Sequence, residues 1–239
     1  MTSHRSHQPG YVVSDLHIFG CSSLYTSYLP LFYEACACHS LVVLNGDTFD
    51  FKRAIYASSA ETAQHATTWL RELSKRAPAT SFFYVLGNHD SQTHFVRALT
   101  AALPEMPNVS LINDSLRLGS SLFLHGDVVD LPLNTDDISQ VRSRYAQAEP
   151  DWGSRLFSQL VTRLRVNKIE YLRHSKRMLA ERIIRHLART QNGALDGLSD
   201  IYFGHTHVPF KDFEHQGLRF HNTGSMIRGL PWMPMGFKP

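Results

Sequence analysis

The chain has 239 residues, of which 43% are hydrophobic and 19% charged, enough for one well-buried α/β core without a second domain. A formal net charge of +3 is too small to indicate a nucleic-acid or membrane partner by itself. No leader and no stretch of membrane-spanning length is recognised, so export and insertion are not expected. The fourteen histidines favour metal chemistry.

Three cysteines are too few and too poorly spaced for a disulfide framework. Cys36 and Cys38 lie two residues apart in a stretch with helical spacing, and Cys21 leaves the number odd. We therefore expect a cytoplasmic protein. Peripheral contact with the inner membrane surface stays open.

Strands and helices alternate through most of the sequence. Apolar runs predict strands over 11–13, 41–45, 81–86, 109–112, 116–118, 122–124, 200–203 and 218–221. Helical spacing predicts helices over 28–40, 57–76 and 93–102. Residues 1–9 are polar and are expected to be loose.

Strand after strand ends in a histidine, aspartate or asparagine, usually beside a glycine. Ligands in open α/β sheets bind where strands end, so these side chains are expected to meet. The groups are Asp15-Leu16-His17, Gly46-Asp47, Gly87-Asn88-His89-Asp90, His125-Gly126-Asp127 and Gly204-His205-Thr206-His207.

The section from Asp151 to Arg189 breaks this rhythm with two amphipathic helical patterns and no strand. From Trp152 to Arg189 it carries ten Arg or Lys against two Glu, a local net charge of +8. Two interpretations stay open: a solvated helix pair, or a basic cap that attracts a phosphate-bearing or membrane-surface substrate.

The polar groups suit hydrolysis of a phosphate ester by two cations about 3.5–4 Å apart. Such a centre needs oxygen and imidazole ligands and one carboxylate that both cations share. Asp47, after the buried strand 41–45, is predicted to bridge. Asp15, His17 and His207 are expected to hold one cation, and Asn88, His125 and His205 the other.

These five blocks, in this order, resemble the calcineurin-like metallophosphoesterase superfamily. The resemblance runs from Asp15 to His207, and it implies a four-layer α/β/β/α sandwich with the same division of ligands between two metals. It also implies that His89 faces the phosphate, with Asp90 fixing its tautomer. Asp50 is interpreted either as support for a ligand or as a helix N-cap.

A narrower resemblance is to the UDP-2,3-diacylglucosamine pyrophosphohydrolases. It is carried by NGDTFDF, by HGD with the later polar residues 134–137, by the Arg-rich helical insertion, and by GHTHVP with the later residues 222–225. In those enzymes a helical cap covers acyl chains. The departure lies at His89, where that group commonly carries arginine.

We therefore expect one domain over 1–239 with a helical cap at about 135–195. The expected function is cleavage of a phosphodiester or diphosphate bond in a lipid-nucleotide or other small phosphate-bearing substrate. Two divalent ions are expected, Mn²⁺ first and Fe or Zn²⁺ as alternatives. Asn88, Arg173 and Arg177 are predicted to face the substrate.

Three alternatives remain. The first is a phosphomonoesterase or protein phosphatase. The second is a nuclease, which is disfavoured because few aromatic residues interleave with the basic ones. The third is an inactive scaffold, which is disfavoured because every expected ligand position is filled.

Overall fold

The computed structural model describes residues 10–156 and 175–238, and these contain two five-stranded sheets. The first sheet has the order β10-β1-β2-β3-β4, in which β10 is antiparallel to β1 and all other neighbours are parallel. Its strands are β1 (Gly10–Val13), β2 (Leu41–Asn45), β3 (Ser81–Val85), β4 (Val109–Ile112) and β10 (Met235–Phe237).

The second sheet has the order β5-β6-β7-β9-β8. Its central neighbours β6-β7 and β7-β9 are parallel, and an antiparallel strand closes each edge. Its strands are β5 (Ser115–Leu118), β6 (Ser121–Leu124), β7 (Asp200–Phe203), β8 (Phe210–His215) and β9 (Leu218–Asn222).

Five complete helices lie in the described ranges: α1 (Tyr25–Cys38), α2 (Ser59–Arg76), α3 (Thr93–Ala102), α4 (Ser139–Ala146) and α5 (Lys176–Thr190). α2 begins where the Ser58 hydroxyl accepts a hydrogen bond from the Glu61 amide (3.1 Å), and it ends just before Pro78. None of the helices in these ranges is both long and apolar enough to cross a membrane.

Alternation along the strands divides the core into three layers of side chains. Val42 and Leu44 face α1, α2 and α3, whereas Val43 faces the second sheet and packs in one cluster with Phe123. Leu122 and its neighbours pack against α5. The order of layers is helices, sheet, sheet, helix, so the predicted four-layer sandwich is confirmed.

The predicted helices and strands match the structure within a few residues, but three elements were missed. β8 carries exposed charged residues along a sheet edge, and β10 has only three residues. α4 is polar, and Val141 is its only buried residue. None of these short segments carries the apolar periodicity that marks an element in a sequence.

The two complete helices within the described part of the predicted cap region make different contacts. α4 contacts the short 3₁₀ turn His89–Ser91, whereas α5 packs Leu179, Ile183 and Leu187 into the core of the second sheet. Arg182 on α5 donates to the carbonyls of Val129 and Leu131. Residues 152–156 are helical, and the rest of the first predicted cap helix lies outside the described residues.

Candidate metal centre

Neighbouring parallel strands bring the first polar blocks side by side. Beyond β1 and β2 the amide of Asp15 donates to the Gly46 carbonyl (3.0 Å), and the amide of His17 donates to the Asp47 carbonyl (3.0 Å). The two loops therefore run together past the end of the sheet. This places both carboxylates and the imidazole in one space.

Asn45, at the end of β2, ties the two sheets together at the same edge. Its amide group donates to the carbonyls of Leu124 (3.0 Å) and Tyr202 (3.1 Å), near the ends of β6 and β7. The Gly204 amide also donates to the His125 carbonyl (2.7 Å). Ligands from both sheets are thus held at one location. The sequence had shown Asn45 only as the last residue of a strand.

Five of the seven expected ligands have left-handed backbone conformations, which are uncommon outside glycine. The φ angles are 52° for Asp15, 45° for His17, 50° for Asp47, 64° for His205 and 57° for His207. Each such residue costs free energy, and such conformations cluster at functional sites. Here they turn successive side chains towards one point.

Asp15, His17 and His207 form the first group of candidate ligands. His207 Nε2 lies 3.2 Å from Asp15 Oδ1 and 3.2 Å from His17 Nε2, and His17 Nε2 lies 3.9 Å from Asp15 Oδ1. The grouping joins strand ends from both sheets.

Asn88, His125 and His205 form the second group together with Asp47. Asn88 Oδ1 lies 3.1 Å from His125 Nε2 and 2.9 Å from His205 Nδ1. His125 Nε2 also lies 3.3 Å from Asp47 Oδ2. All four expected ligands of this group are therefore in contact.

Asp47 stands between the two groups. Its Oδ2 lies 3.3 Å from His125 Nε2 in one group and 4.0 Å from His17 Nε2 in the other. Its Oδ1 accepts a hydrogen bond from the amide of His89 (2.8 Å), which fixes the orientation of the carboxylate. This is the placement that a carboxylate shared by two cations requires.

The donor set fits two divalent cations. In each of the groups Asp15–His17–His207 and Asp47–His125–His205, the ligand atoms lie within 4.8 Å of one another. Bonds of about 2.1 Å to a metal place neighbouring ligand atoms about 3.0–3.4 Å apart, close to the spacings in the structure. Carboxylate, amide and imidazole donors without thiolate admit Mn²⁺, Fe or Zn²⁺. The ligand atoms of a third group, His17, Asp47 and His89, also lie within 4.8 Å of one another, so His89 borders the centre.

The electrostatics of the buried carboxylates also favour cations. Burial would raise the pKa of Asp47, but the nearby His125 and His89 hold it well below its usual range. Although burial opposes it, Asp47 raises the pKa of His125 to about 10. Without metal, protons on histidine therefore balance these carboxylates, since buried charges need partners or metal ions.

Glycine is required in two of the blocks because the backbone approaches a ligand closely. A Cβ at Gly87 would lie 2.3 Å from Asp47 Oδ1, and one at Gly204 would lie 2.1 Å from Asp15 Oδ2. Any other residue would displace a carboxylate. The glycines that marked the motifs in the sequence are thus part of the site's packing.

Asp50, and not Asp90, lies beside the ring of His89. Asp50 Oδ1 is 3.3 Å from His89 Nδ1, and Asp50 Oδ2 is 3.6 Å from His17 Nδ1. The Asp90 carboxylate instead accepts hydrogen bonds from the amides of Thr48 and Phe49, 3.1 Å each. The expectation that Asp90 fixes the His89 tautomer was wrong. Asp50 supports two site histidines, and α2 is capped by Ser58 instead.

Asp130 and Tyr145 are further neighbours of the site that no sequence motif marked. Asp130 Oδ2 lies 2.9 Å from His205 Nε2, and the Tyr145 ring lies 4.8 Å from the His89 ring. Both belong to the segment after His125, which lacks a periodic pattern. Only the fold brings them to the centre.

The predicted substrate-facing arginines gain no contact with the centre in the described ranges. Arg177 is 75% exposed at the start of α5 and pairs with Glu181 one turn later (2.9 Å). Arg173 lies outside the described residues. Their role stays a prediction.

Comparison with known proteins identifies the family of this chain. The sequence profile of calcineurin-like phosphoesterases matches residues 11–209, most of the chain. The chain belongs to this family. It is therefore a metal-dependent hydrolase of phosphate esters, and the family implies a two-metal centre. No curated protein matches the sequence.

Two solved structures give weaker similarity. Yfce, a phosphoesterase from E. coli, is 15% identical with a TM-score of 0.38, over 91% of this chain and 80% of that one. A dimetal phosphatase from Danio rerio is 11% identical with a TM-score of 0.47, over 93% of this chain and 88% of that one.

Proposed function

We propose that this phosphoesterase binds two divalent cations that share Asp47 and cleaves a phosphodiester or diphosphate bond. The observation that carries the proposal is the meeting of two donor groups at Asp47, 3.3 Å from His125 and 4.0 Å from His17. Asp15, His17 and His207 would hold one cation, and Asn88, His125 and His205 the other.

The bound cations would neutralise the phosphate oxygens and lower the pKa of a water molecule. The protein supplies orientation around them. The Asp50 carboxylate lies beside the rings of His17 and His89, and the His89 amide orients Asp47. We infer that His89 faces the phosphate and stabilises the charge on it, or gives a proton to the departing oxygen.

The finer assignment concerns the substrate. The resemblance of NGDTFDF and GHTHVP to enzymes that cleave UDP-2,3-diacylglucosamine supports a diphosphate-linked lipid nucleotide, approached through the basic region 135–195. The exposed Arg177 suits such an anion. Peripheral contact with an anionic membrane belongs to the same proposal.

A hydrolysis screen tests the function. Chelator-treated protein, reloaded with Mn²⁺, is assayed on bis-p-nitrophenyl phosphate, p-nitrophenyl phosphate and a UDP-linked lipid. We expect metal-dependent turnover, with the diester or the diphosphate cleaved faster than the monoester. A preference for the monoester would instead favour a phosphomonoesterase.

Asp47→Ala is the decisive variant, with Asp196→Ala as the matched control because Asp196 is exposed on the loop before β7, at the other end of that strand from His205. We expect Asp47→Ala to abolish turnover and to reduce bound metal, and the control to keep both. Absence of metal-dependent hydrolysis of every ester by the wild type would refute the proposal and favour a binding scaffold.

A further inference from the structure

Helix α4 is fixed to the two loops that carry site residues. The Arg142 guanidinium donates to Asp127 Oδ2 (2.8 Å) and to the Leu86 carbonyl (3.0 Å). Asp127 follows His125 by two residues, and Leu86 directly precedes the Gly87 block. Because Asp127 is buried, this ion pair fixes the position of the helix, unlike an exposed ion pair on the surface.

The far end of α4 is held as well. The Thr93 hydroxyl donates to the Ala146 carbonyl (2.9 Å), and the Gln92 amide group donates to the Ala148 carbonyl (3.4 Å). Both donors lie just beyond the 3₁₀ turn His89–Ser91. The helix therefore has a defined position over this turn.

This position presents Tyr145 to the centre. Its ring centroid lies 4.8 Å from that of His89, with the planes inclined at 42°. Burial, and the carboxylates of Asp47, Asp130 and Asp50, raise the pKa of Tyr145, so the hydroxyl keeps its proton. Among the residues that the structure describes, no hydrogen bond is made by this hydroxyl.

A protonated phenol beside His89, with no protein acceptor in the described ranges, is suited to an oxygen of the substrate. We propose that Tyr145 is a substrate-contacting residue whose hydroxyl donates a hydrogen bond to the phosphate group bound next to His89. This inference rests on the proposed function, because it assumes that the phosphate binds at the cluster around Asp47.

Tyr145→Phe tests the contact because it removes only the hydroxyl. Tyr11→Phe is the matched control, since the Tyr11 ring also contacts a histidine ring, that of His39, at 5.1 Å and away from the centre. Three quantities are measured on Mn²⁺-loaded protein: the dissociation constant of inorganic phosphate by calorimetry, kcat/KM for bis-p-nitrophenyl phosphate, and bound metal per chain.

We expect Tyr145→Phe to weaken phosphate binding and to lower kcat/KM, each by about tenfold or more, as for a lost hydrogen bond to a charged group. Bound metal should stay unchanged. Tyr11→Phe should match the wild type in all three. A purely structural role for Tyr145 would leave the phosphate dissociation constant unchanged at equal metal content.

The outcomes separate the two proposals. If the wild type hydrolyses esters and Tyr145→Phe matches it within twofold, the contact is refuted and the function stands. If the wild type hydrolyses nothing but binds phosphate more tightly than Tyr145→Phe, the function is refuted and the contact stands. If the wild type does neither, both are refuted.

Discussion

Two clusters in this molecule contain histidine and aspartate but differ in how these side chains are paired. The metal-centre cluster is defined as the seven expected ligands Asp15, His17, Asp47, Asn88, His125, His205 and His207. The His221 cluster, on the second sheet, consists of Asp200, Asp212, Arg219, Ser199 and His221.

In the His221 cluster both ring nitrogens of His221 have a hydrogen-bond partner. The Asp212 amide donates to His221 Nδ1 (3.2 Å), so the ring proton is on Nε2, which faces Asp200 Oδ1 at 3.0 Å. Asp200 Oδ2 also accepts from Arg219 (2.7 Å) and Ser199 (2.6 Å). A network that satisfies the ring in this way stabilises the fold and leaves neither nitrogen of His221 free to bind a metal ion.

In the metal-centre cluster, by contrast, several side-chain atoms that can bind a metal ion face one another. His17 Nε2 lies 3.2 Å from His207 Nε2, and carboxylate oxygens of Asp15 and Asp47 point at the same space. Such an arrangement needs ring protons or bound cations between the facing atoms. The comparison teaches that complementarity between neighbours, more than the presence of His and Asp, distinguishes a ligand site from a structural network.

The largest effect is expected when one carboxylate in each cluster is replaced by an amide, which tests whether the two clusters differ in function. We expect Asp15→Asn to lower Mn²⁺-dependent turnover by about a thousandfold or more, because a metal-binding charge is worth several kcal/mol in the transition state. Asp200→Asn should keep the wild-type rate. Hydrolysis of bis-p-nitrophenyl phosphate and bound metal per chain are measured. Equal losses in both variants would remove the distinction.

Asp50→Asn sharpens the comparison by changing a residue that supports the metal-centre cluster without belonging to it. Asp50 lies 3.6 Å from His17 Nδ1 and 3.3 Å from His89 Nδ1, and supporting carboxylates of this kind are typically worth about 10–100-fold in metal affinity or activity. We expect a loss in this range, measured as Mn²⁺ affinity and kcat. Wild-type values for both would mean that Asp50 serves only the turn at Arg53, whose amide it also binds (2.9 Å).

Much of the metal-centre cluster could be predicted from sequence because parallel strands end at one edge of a sheet. Asp15 and Asp47 follow β1 and β2, and His125 and His205 follow β6 and β7, so the fold class alone brings them together. The structure places all seven expected ligands in contact with at least one other. Their binding of metal stays a prediction.

The surroundings of the cluster could not be predicted, because they depend on contacts between residues distant in sequence. Asp50 was recognised as a candidate support, but only packing shows that its partner is His89 and that Asp90 binds backbone amides instead. Tyr145 sits on a polar helix without periodicity. The basic charge of α5 suggested a cap, yet its apolar face belongs to the sandwich.

The His221 cluster should be tested through stability. We expect His221→Gln to lower the free energy of unfolding by about 1–3 kcal/mol, because the buried Asp200 carboxylate and the backbone amide of Asp212 lose their partner. Turnover should be unchanged. Urea unfolding of the metal-free proteins measures this difference. His94→Gln, at an exposed position, is the control, and its free energy of unfolding should stay within about 0.5 kcal/mol of the wild-type value. A loss of metal binding in His221→Gln would contradict a purely structural role.

The smallest expected effect is on the pH dependence of stability. Burial lowers the pKa of His221 from its ordinary value of 6.5, although Asp200 and Asp212 oppose this and Arg219 adds to it. The neutral ring therefore stabilises the fold above pH 6.5, and this stability is lost as the pH falls through the folded pKa, because the unfolded chain binds the proton first.

Between pH 7 and pH 5, we expect the free energy of unfolding of His221→Gln to fall less steeply than that of the wild type, by about 1 kcal/mol or less. Asp200 does not contribute in this window, because Ser199 and Arg219 hold its pKa below the usual range against the effect of burial. Urea titrations in chelator isolate the effect from metal loss. If the free energy of unfolding changed equally with pH in the two proteins, His221 would have the same pKa in the folded and the unfolded chain. The hydrogen bonds of the folded ring would then favour its neutral form no more than water does.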